Sequence, residues 1–345
     1  MIRVLIIDDS ATARTILKET LSKDKEIEVV GVAPNAYIGR DKIVQLEPDV
    51  VCLDIEMPKM DGITFLKKLM QYKPIPVVMV SSLTSKGAKV TLEALSIGAV
   101  EVIQKPHQNL YDGISTIEKE LIEKVKMASM AKVSNLLKEP YEPKIDNARP
   151  LLEITTNKII AIGASTGGTV ALTDFLTKLP RNIPGIVIVQ HMPAGFTKAF
   201  AERLNQLCEV EVLEAKDGDI IGKGRVFIAP GDYHMGVKRE GGNYIIEIGT
   251  GKKISGHRPS VDYLFNTISK EVGKNAIGII MTGMGSDGAK GLLKMKNVGA
   301  KTLGQDQQSC VVYGMPKVAF ELGAVDKQVS LEKIHLELLR MLKKI

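Results

Sequence analysis

Short, β-branched apolar runs recur along the chain, and each stops at a polar residue and is followed by a stretch of helical period. IRVLII (residues 2–7), the run ending in VCLD (51–54) and PVVMV (76–80) are of this kind. The alternation implies a parallel sheet with helices on its faces, because a parallel crossover needs a dozen or more residues and covers both sides of the sheet. Helical patterns fit about residues 11–22, 36–46, 62–71, 86–97 and 112–138, and VEVIQKP supplies the last strand. Five βα units of this size predict one (βα)5 domain over residues 1–125.

From 126 to 156 the periodicity fades and three prolines appear, Pro140, Pro143 and Pro150. Prolines so spaced favour extended, semi-rigid chain, which predicts a linker. Alternation then restarts, with KIIAIGAS, GIVIVQH, GRVFIAP, YIIEIG and AIGIIMTG as strands. The glycine-punctuated segment GKGRVFIAPGDYHMGVKREGGNYIIEIGT predicts an antiparallel β insertion. The second domain, 157–345, is therefore expected to be doubly wound, mainly parallel α/β with that insertion, and a length of 345 residues suits two domains.

Composition excludes several classes. No apolar run reaches the roughly 20 residues of a membrane helix, and the opening MIRVLIIDDS is too short and too soon acidic for a signal peptide, so a cytoplasmic protein is expected. Cys52, Cys208 and Cys310 are odd in number and far apart, which suits buried thiols rather than disulfides or zinc. Residues 1–140 carry 19 basic and 19 acidic side chains, which leaves 27 and 21 of the totals of 46 and 40 for the remainder. With no tryptophan and no basic stripe interleaved with aromatics, nucleic-acid binding is not expected, whereas a mildly basic face suits an acidic protein partner. A monomer is the default.

Chemistry concentrates at strand ends. In the first domain Asp8 and Asp9 close the first strand, Asp54 the third, Ser81 the fourth and Lys105 the last. Strand C-termini of an open parallel sheet face one crevice, so three carboxylates and a lysine converge there. Crowded carboxylates repel, and Mg²⁺ with an all-oxygen ligand set is the natural compensation. Any one of these acids could instead cap the following helix.

In the second domain, IIAIGASTGG sets Ser165 at a strand-to-helix turn, where backbone N–H groups and a helix N-terminus favour an oxyanion. The loop is neither G-x-S-x-G nor the G-x-G-x-x-G of a dinucleotide site. His191 ends the next strand, and Asp287 follows a later one, so a nucleophile, a base and an orienting carboxylate can meet at one sheet edge. Taken singly, each has an ordinary reading: Ser165 as a cap, His191 as a core or turn histidine, Asp287 as a cap of the helix after it. His234 and His257 are expected on loops, with His257 and Arg258 at the rim, and His107 and His335 have no evident partners.

IDDS, LDIEMPKMDG, VVMVSS and IQKP resemble the receiver domain of bacterial response regulators. That resemblance implies phosphoryl transfer from a histidine kinase to Asp54. It also implies Mg²⁺ held by Asp8, Asp9, Asp54 and the Glu56 backbone carbonyl, with Ser81 and Lys105 as the switch pair. IGASTGG, QHMPAGFT, HRPSVD, MTGMGSDGA and VVYGMPK resemble the catalytic domain of the chemotaxis protein-glutamate methylesterase (CheB) family. This second resemblance implies Ser165 as nucleophile, His191 as base, Asp287 as orienting carboxylate and oxyanion contacts at Thr166 and Met284. It implies hydrolysis of γ-glutamyl methyl esters on chemoreceptors, often with deamidation of receptor glutamines, no cofactor at the esterase site, and inhibition by the receiver until Asp54 is phosphorylated. A phospho-switched binding module without enzyme activity is the competing class, and the intact serine, histidine and aspartate argue against it.

Overall fold

Strand after strand, the turn residues that end an apolar run also start the next helix. The computed structural model describes residues 1–81, 85–105, 114–137 and 158–343. His107 and the linker prolines Pro140, Pro143 and Pro150 lie outside them. The chain divides into two compact units, Met1–Lys138 and Glu139–Ile345.

The first unit runs β1 (Ile2–Ile7), α1 (Ala11–Leu21), β2 (Ile27–Ala33), α2 (Ala36–Leu46), β3 (Val50–Asp54), α3 (Gly62–Tyr72), β4 (Val77–Ser81), α4 (Ser85–Ile97), β5 (Glu101–Gln104) and α5 (Ile114–Ser129). The strands pair in parallel in the order β2-β1-β3-β4-β5. Val4 to Ile7 and Val50 to Leu53 are fully buried, as expected of strands covered on both faces. Ser10, Asn35 and Asp61 accept from the backbone N–H three residues on and so cap α1, α2 and α3. Helix α5 passes the expected domain end at 125, with Met127 and Ala128 still buried, but stops at Ser129, short of the 138 that the pattern suggests.

The second unit runs β6 (Ile159–Ala164), α6 (Gly168–Leu176), β7 (Ile186–Gln190), α7 (Phe196–Leu207), β8 (Glu211–Glu214), β9 (Arg225–Ile228), β10 (His234–Glu240), β11 (Asn243–Gly249), α8 (Val261–Glu271), β12 (Ala276–Ile280), α9 (Ala289–Asn297), β13 (Lys301–Gln305), α10 (Met315–Glu321), β14 (Lys327–Val329) and α11 (Leu331–Lys343). Seven described strands form a parallel sheet in the order β14-β13-β12-β6-β7-β9-β8. The antiparallel insertion is narrower than the glycine pattern suggests. Strand β9 pairs in parallel with β7 and β8, and only β10 and β11 form a hairpin. His234 opens β10 and is buried, rather than sitting on a loop, with its Nε2 2.9 Å from the Lys252 carbonyl and its ring stacked on Tyr263.

Glycine sets the position of α8. A Cβ on Gly163 in β6 would lie 2.2 Å from Val261 Cγ1, so the first turn of α8 docks directly on that strand. Gly163→Ala is therefore expected to destabilise this unit by about 1–3 kcal/mol, the usual range for overpacking. Differential scanning calorimetry checks this, with the transition of the first unit unmoved.

Candidate functional site

Both sheets gather their polar groups where the strand order reverses, the place at which open α/β sheets bind ligands. In the second sheet that point lies at β12-β6-β7, and Asp287, Ser165 and His191 follow those three strands in turn. His191 Nδ1 stands 3.2 Å from Ser165 Oγ, and His191 Nε2 stands 2.8 Å from Asp287 Oδ2. The tautomer with its proton on Nε2 donates to Asp287 and leaves Nδ1 as acceptor for the serine proton. The ring is thus used in the opposite sense from the triad in which Nε2 serves the nucleophile.

Asp287 is buried, and its neighbours saturate it. Oδ1 accepts from Ser260 Oγ at 2.8 Å and from Asp262 N–H at 3.0 Å, and Oδ2 accepts from Val261 N–H at 2.7 Å besides His191. The carboxylate therefore sits on the first turn of α8, where the helix dipole favours negative charge. Burial opposes that charge, yet the His191 hydrogen bond and the backbone donors of Asp262 and Val261 hold the carboxyl below the usual carboxylate range.

Ser165 is held from several sides. Its N–H donates to Thr282 O at 3.0 Å, and its carbonyl accepts from Gly168 N–H at 2.7 Å and from Gln190 Nε2 at 2.9 Å. The same Gln190 amide donates to His191 O at 3.1 Å, so one side chain ties the nucleophile's backbone to the base's. A Cβ on Gly283 would lie 2.7 Å from Ser165 Cβ, which lets the loop after β12 close over the serine. Thr166 is buried and its carbonyl accepts from Thr282 Oγ1 at 2.9 Å, while Met284 is partly exposed on that closing loop. Thr166 directly follows Ser165, and Met284 directly follows the Gly283 that abuts it.

His257 lies inside the site rather than at its rim: its ring stacks on His191 with centroids 3.8 Å apart and planes within 10°. Burial pushes His257 down to about 4; the neighbouring His191 and Lys253 add to this, and Asp287 opposes it. The arrangement can perform acyl transfer through a serine, with an imidazole that moves one proton. Sequence reasoning missed Ser260, Gln190 and Thr282 as supports. The serine within HRPSVD, directly ahead of the helix pattern, was the one available signal, as an N-cap.

In the first unit Asp8 and Asp54 are buried and Asp9 is exposed, with one carboxylate oxygen of each within 4.8 Å of the others. Lys105 Nζ lies 3.0 Å from Asp8 Oδ2 and 2.8 Å from Asp54 Oδ2. Those two oxygens are buried, and the Lys105 ammonium is the cation they share. Asp54 Oδ1 accepts from Glu56 N–H at 3.2 Å, and Arg14 donates to the Asp8 and Asp9 carbonyls at 2.7 and 3.0 Å. Burial pushes Asp54 up to about 6 with Asp8 adding to it, against the pull of Lys105 and the Glu56 N–H. Three acids around one lysine leave negative charge uncompensated, and the oxygen-only set suits a hard divalent cation. Ser81 ends β4, and its side chain lies outside the described residues.

Asp54, raised from 3.8 to about 6, favours folding most fully below pH 4 and loses that contribution as pH rises through 6. Asp54→Asn should therefore raise the unfolding free energy of the first unit in metal-free buffer at pH 7.5, by at most about 3 kcal/mol. The gap should close below pH 4, and Mg²⁺ should stabilise the wild type but scarcely move the variant. Thermal melts across pH, with and without Mg²⁺, read all three.

Comparison with known proteins adds an independent line. Residues 160–338 match the family model "CheB methylesterase", and residues 4–114 match "Response regulator receiver domain". The chain is similar to the protein-glutamate methylesterase/protein-glutamine glutaminase of Sulfurimonas denitrificans, 61% identical over 99% of this chain and 98% of that protein. The protein of the same name from Salmonella typhi is 47% identical over 98% and 96% of the two chains. The catalytic domain of Thermotoga maritima CheB methylesterase covers 54% of this chain and all 100% of its own, at 41% identity and a TM-score of 0.53.

Proposed function

The chain belongs to the CheB methylesterase family, with a response-regulator receiver domain ahead of the catalytic unit, and from that premise we propose a specific division of labour. Residues 157–345 hydrolyse γ-glutamyl methyl esters on the cytoplasmic helices of chemoreceptors. Residues 1–125 accept a phosphoryl group from a chemotaxis histidine kinase, and 126–156 join the two. The observation that carries the reading is the single imidazole bridging Ser165 and Asp287.

Ser165 Oγ attacks the ester carbonyl while its proton passes to His191 Nδ1. Asp287 keeps the Nε2 proton and balances the imidazolium. Backbone N–H groups at Thr166 and Met284 serve the oxyanion. The C–O bond to methanol then breaks, with the departing oxygen taking the proton from Nδ1. Water, deprotonated by the same Nδ1, attacks the acyl-serine and releases the glutamate carboxyl and Ser165 Oγ–H. Receptor glutamines follow the same path with ammonia leaving, and none of these steps calls for a cofactor.

Regulation rests on the first unit. Asp8, Asp9 and Asp54 with the Glu56 carbonyl would hold Mg²⁺, which when bound neutralises charge on the incoming phosphoryl oxygens. Lys105, now shared by two carboxylates, pairs with the phosphoryl group on Asp54, and Ser81 turns toward it as a donor. Phosphorylation relieves inhibition of the catalytic unit by population shift. Among the described residues no helix is long and apolar enough to cross a membrane. On this reading the enzyme is a cytoplasmic monomer that acts on chemoreceptors.

Methanol release from methylated receptor fragments tests the proposal. Release should rise after treatment with a small-molecule phosphodonor and Mg²⁺, and Asp54→Asn should abolish the rise but keep the basal rate. Ser165→Ala should lower kcat by at least about 10³-fold with the fold intact. Full turnover in that variant overturns the assignment of the nucleophile.

A further inference from the structure

His257 touches the proposed base but has no task in the mechanism just described. Its backbone is fixed by reciprocal hydrogen bonds with Ile254, at 2.9 and 3.1 Å. Three residues on, Ser260 caps α8 and donates to Asp287. One short segment thus anchors the far partner of His191 and covers the face of its ring.

We infer that His257 is a positioning residue for the base: its stacked ring fixes the plane of His191 and presents a neutral aromatic face to the charge that develops there. The inference rests on the serine-hydrolase reading of Ser165, His191 and Asp287. The 3.2 Å separation of Nδ1 and Ser165 Oγ is at the long end for a hydrogen bond and holds the ring weakly at that end. A flat partner at 3.8 Å blocks the out-of-plane swing that this bond leaves open.

Charge points the same way. The groups facing His257 are His191, Asp287 and Lys253, while Arg258 turns its guanidinium to the carbonyls of Thr250 and Gly251. Burial keeps His257 uncharged at neutral pH. A neutral π face attracts an adjacent cation, so the imidazolium formed during attack on the ester is favoured where a second charged ring would repel it.

The experiment uses the full-length protein with His257→Ala and His257→Phe, and reads kcat and KM for methanol release across pH beside thermal unfolding. Loss of the ring should lower kcat about tenfold to a hundredfold, as expected for a misplaced catalytic group. KM should change less than about twofold, because uniform binding is untouched. The acid limb of the rate profile should move to lower pH, since the imidazolium loses the face that favoured it. The phenylalanine variant, with a neutral face of similar size, should recover most of kcat. Wild-type kcat in His257→Ala, or a phenylalanine variant as poor as the alanine one, overturns the inference. Should His257→Ala fail to fold, His257→Gln takes its place under the same criteria. A wild type that releases no methanol defeats the esterase reading itself, and an active wild type with an unaffected ring deletion defeats this inference alone.

Discussion

Everything in the catalytic unit is arranged around a buried carboxylate that needs donors. An unpaired carboxylate in a dry interior is prohibitively costly, and pairing with a single imidazole would not satisfy its lone pairs. Asp287 escapes the penalty because the first turn of α8 brings two backbone N–H groups and the Ser260 hydroxyl to it. That turn reaches Asp287 because Gly163 leaves room for Val261 against β6, and Gly288 leaves room on the other side. The orientation of His191, and through it the readiness of Ser165, follows from this seat.

The two units apply one topological device to two chemistries. In each, the chain starts a strand in the middle of the sheet and builds outward on both sides, and the polar groups collect where the order reverses. The catalytic sheet fills that crevice with one acid, one base and one hydroxyl, all paired. The receiver sheet fills it with three acids and one lysine, which is a deficit of positive charge. A saturated site performs chemistry on an uncharged ester carbonyl; a charge-deficient one recruits a cation and a phosphoryl group.

The strand ends were legible because burial on both faces writes long apolar runs, and the residue that breaks such a run stands out. Asp8, Asp54, Ser165 and His191 could be read in that way, and Asp287 from its place after AIGIIMTG. Strands β13 and β14 carry lysine, glycine and glutamine in short edge-side runs and have no such signature. The place of β9 in the parallel sheet was masked by glycines on either side that read as hairpin turns. His257, Gln190 and Thr282 act through neighbours distant in sequence, and a single chain carries no local pattern for that. Ser81 was legible only as the end of a strand.

The donors around Asp287 have a consequence for what the site can cleave. With four hydrogen bonds on its two oxygens, that carboxylate has no lone pair to spare for a proton. On the proposed mechanism a proton lifted from Ser165 is therefore stranded on the imidazole, and the departing group is its only exit. Basicity of the leaving atom becomes the selector: an alkoxide or an amide nitrogen collects the proton readily, and a group that departs without one leaves His191 charged and unable to activate water. One acceptor count thus accounts for a single centre that handles both an ester and an amide of the same side chain.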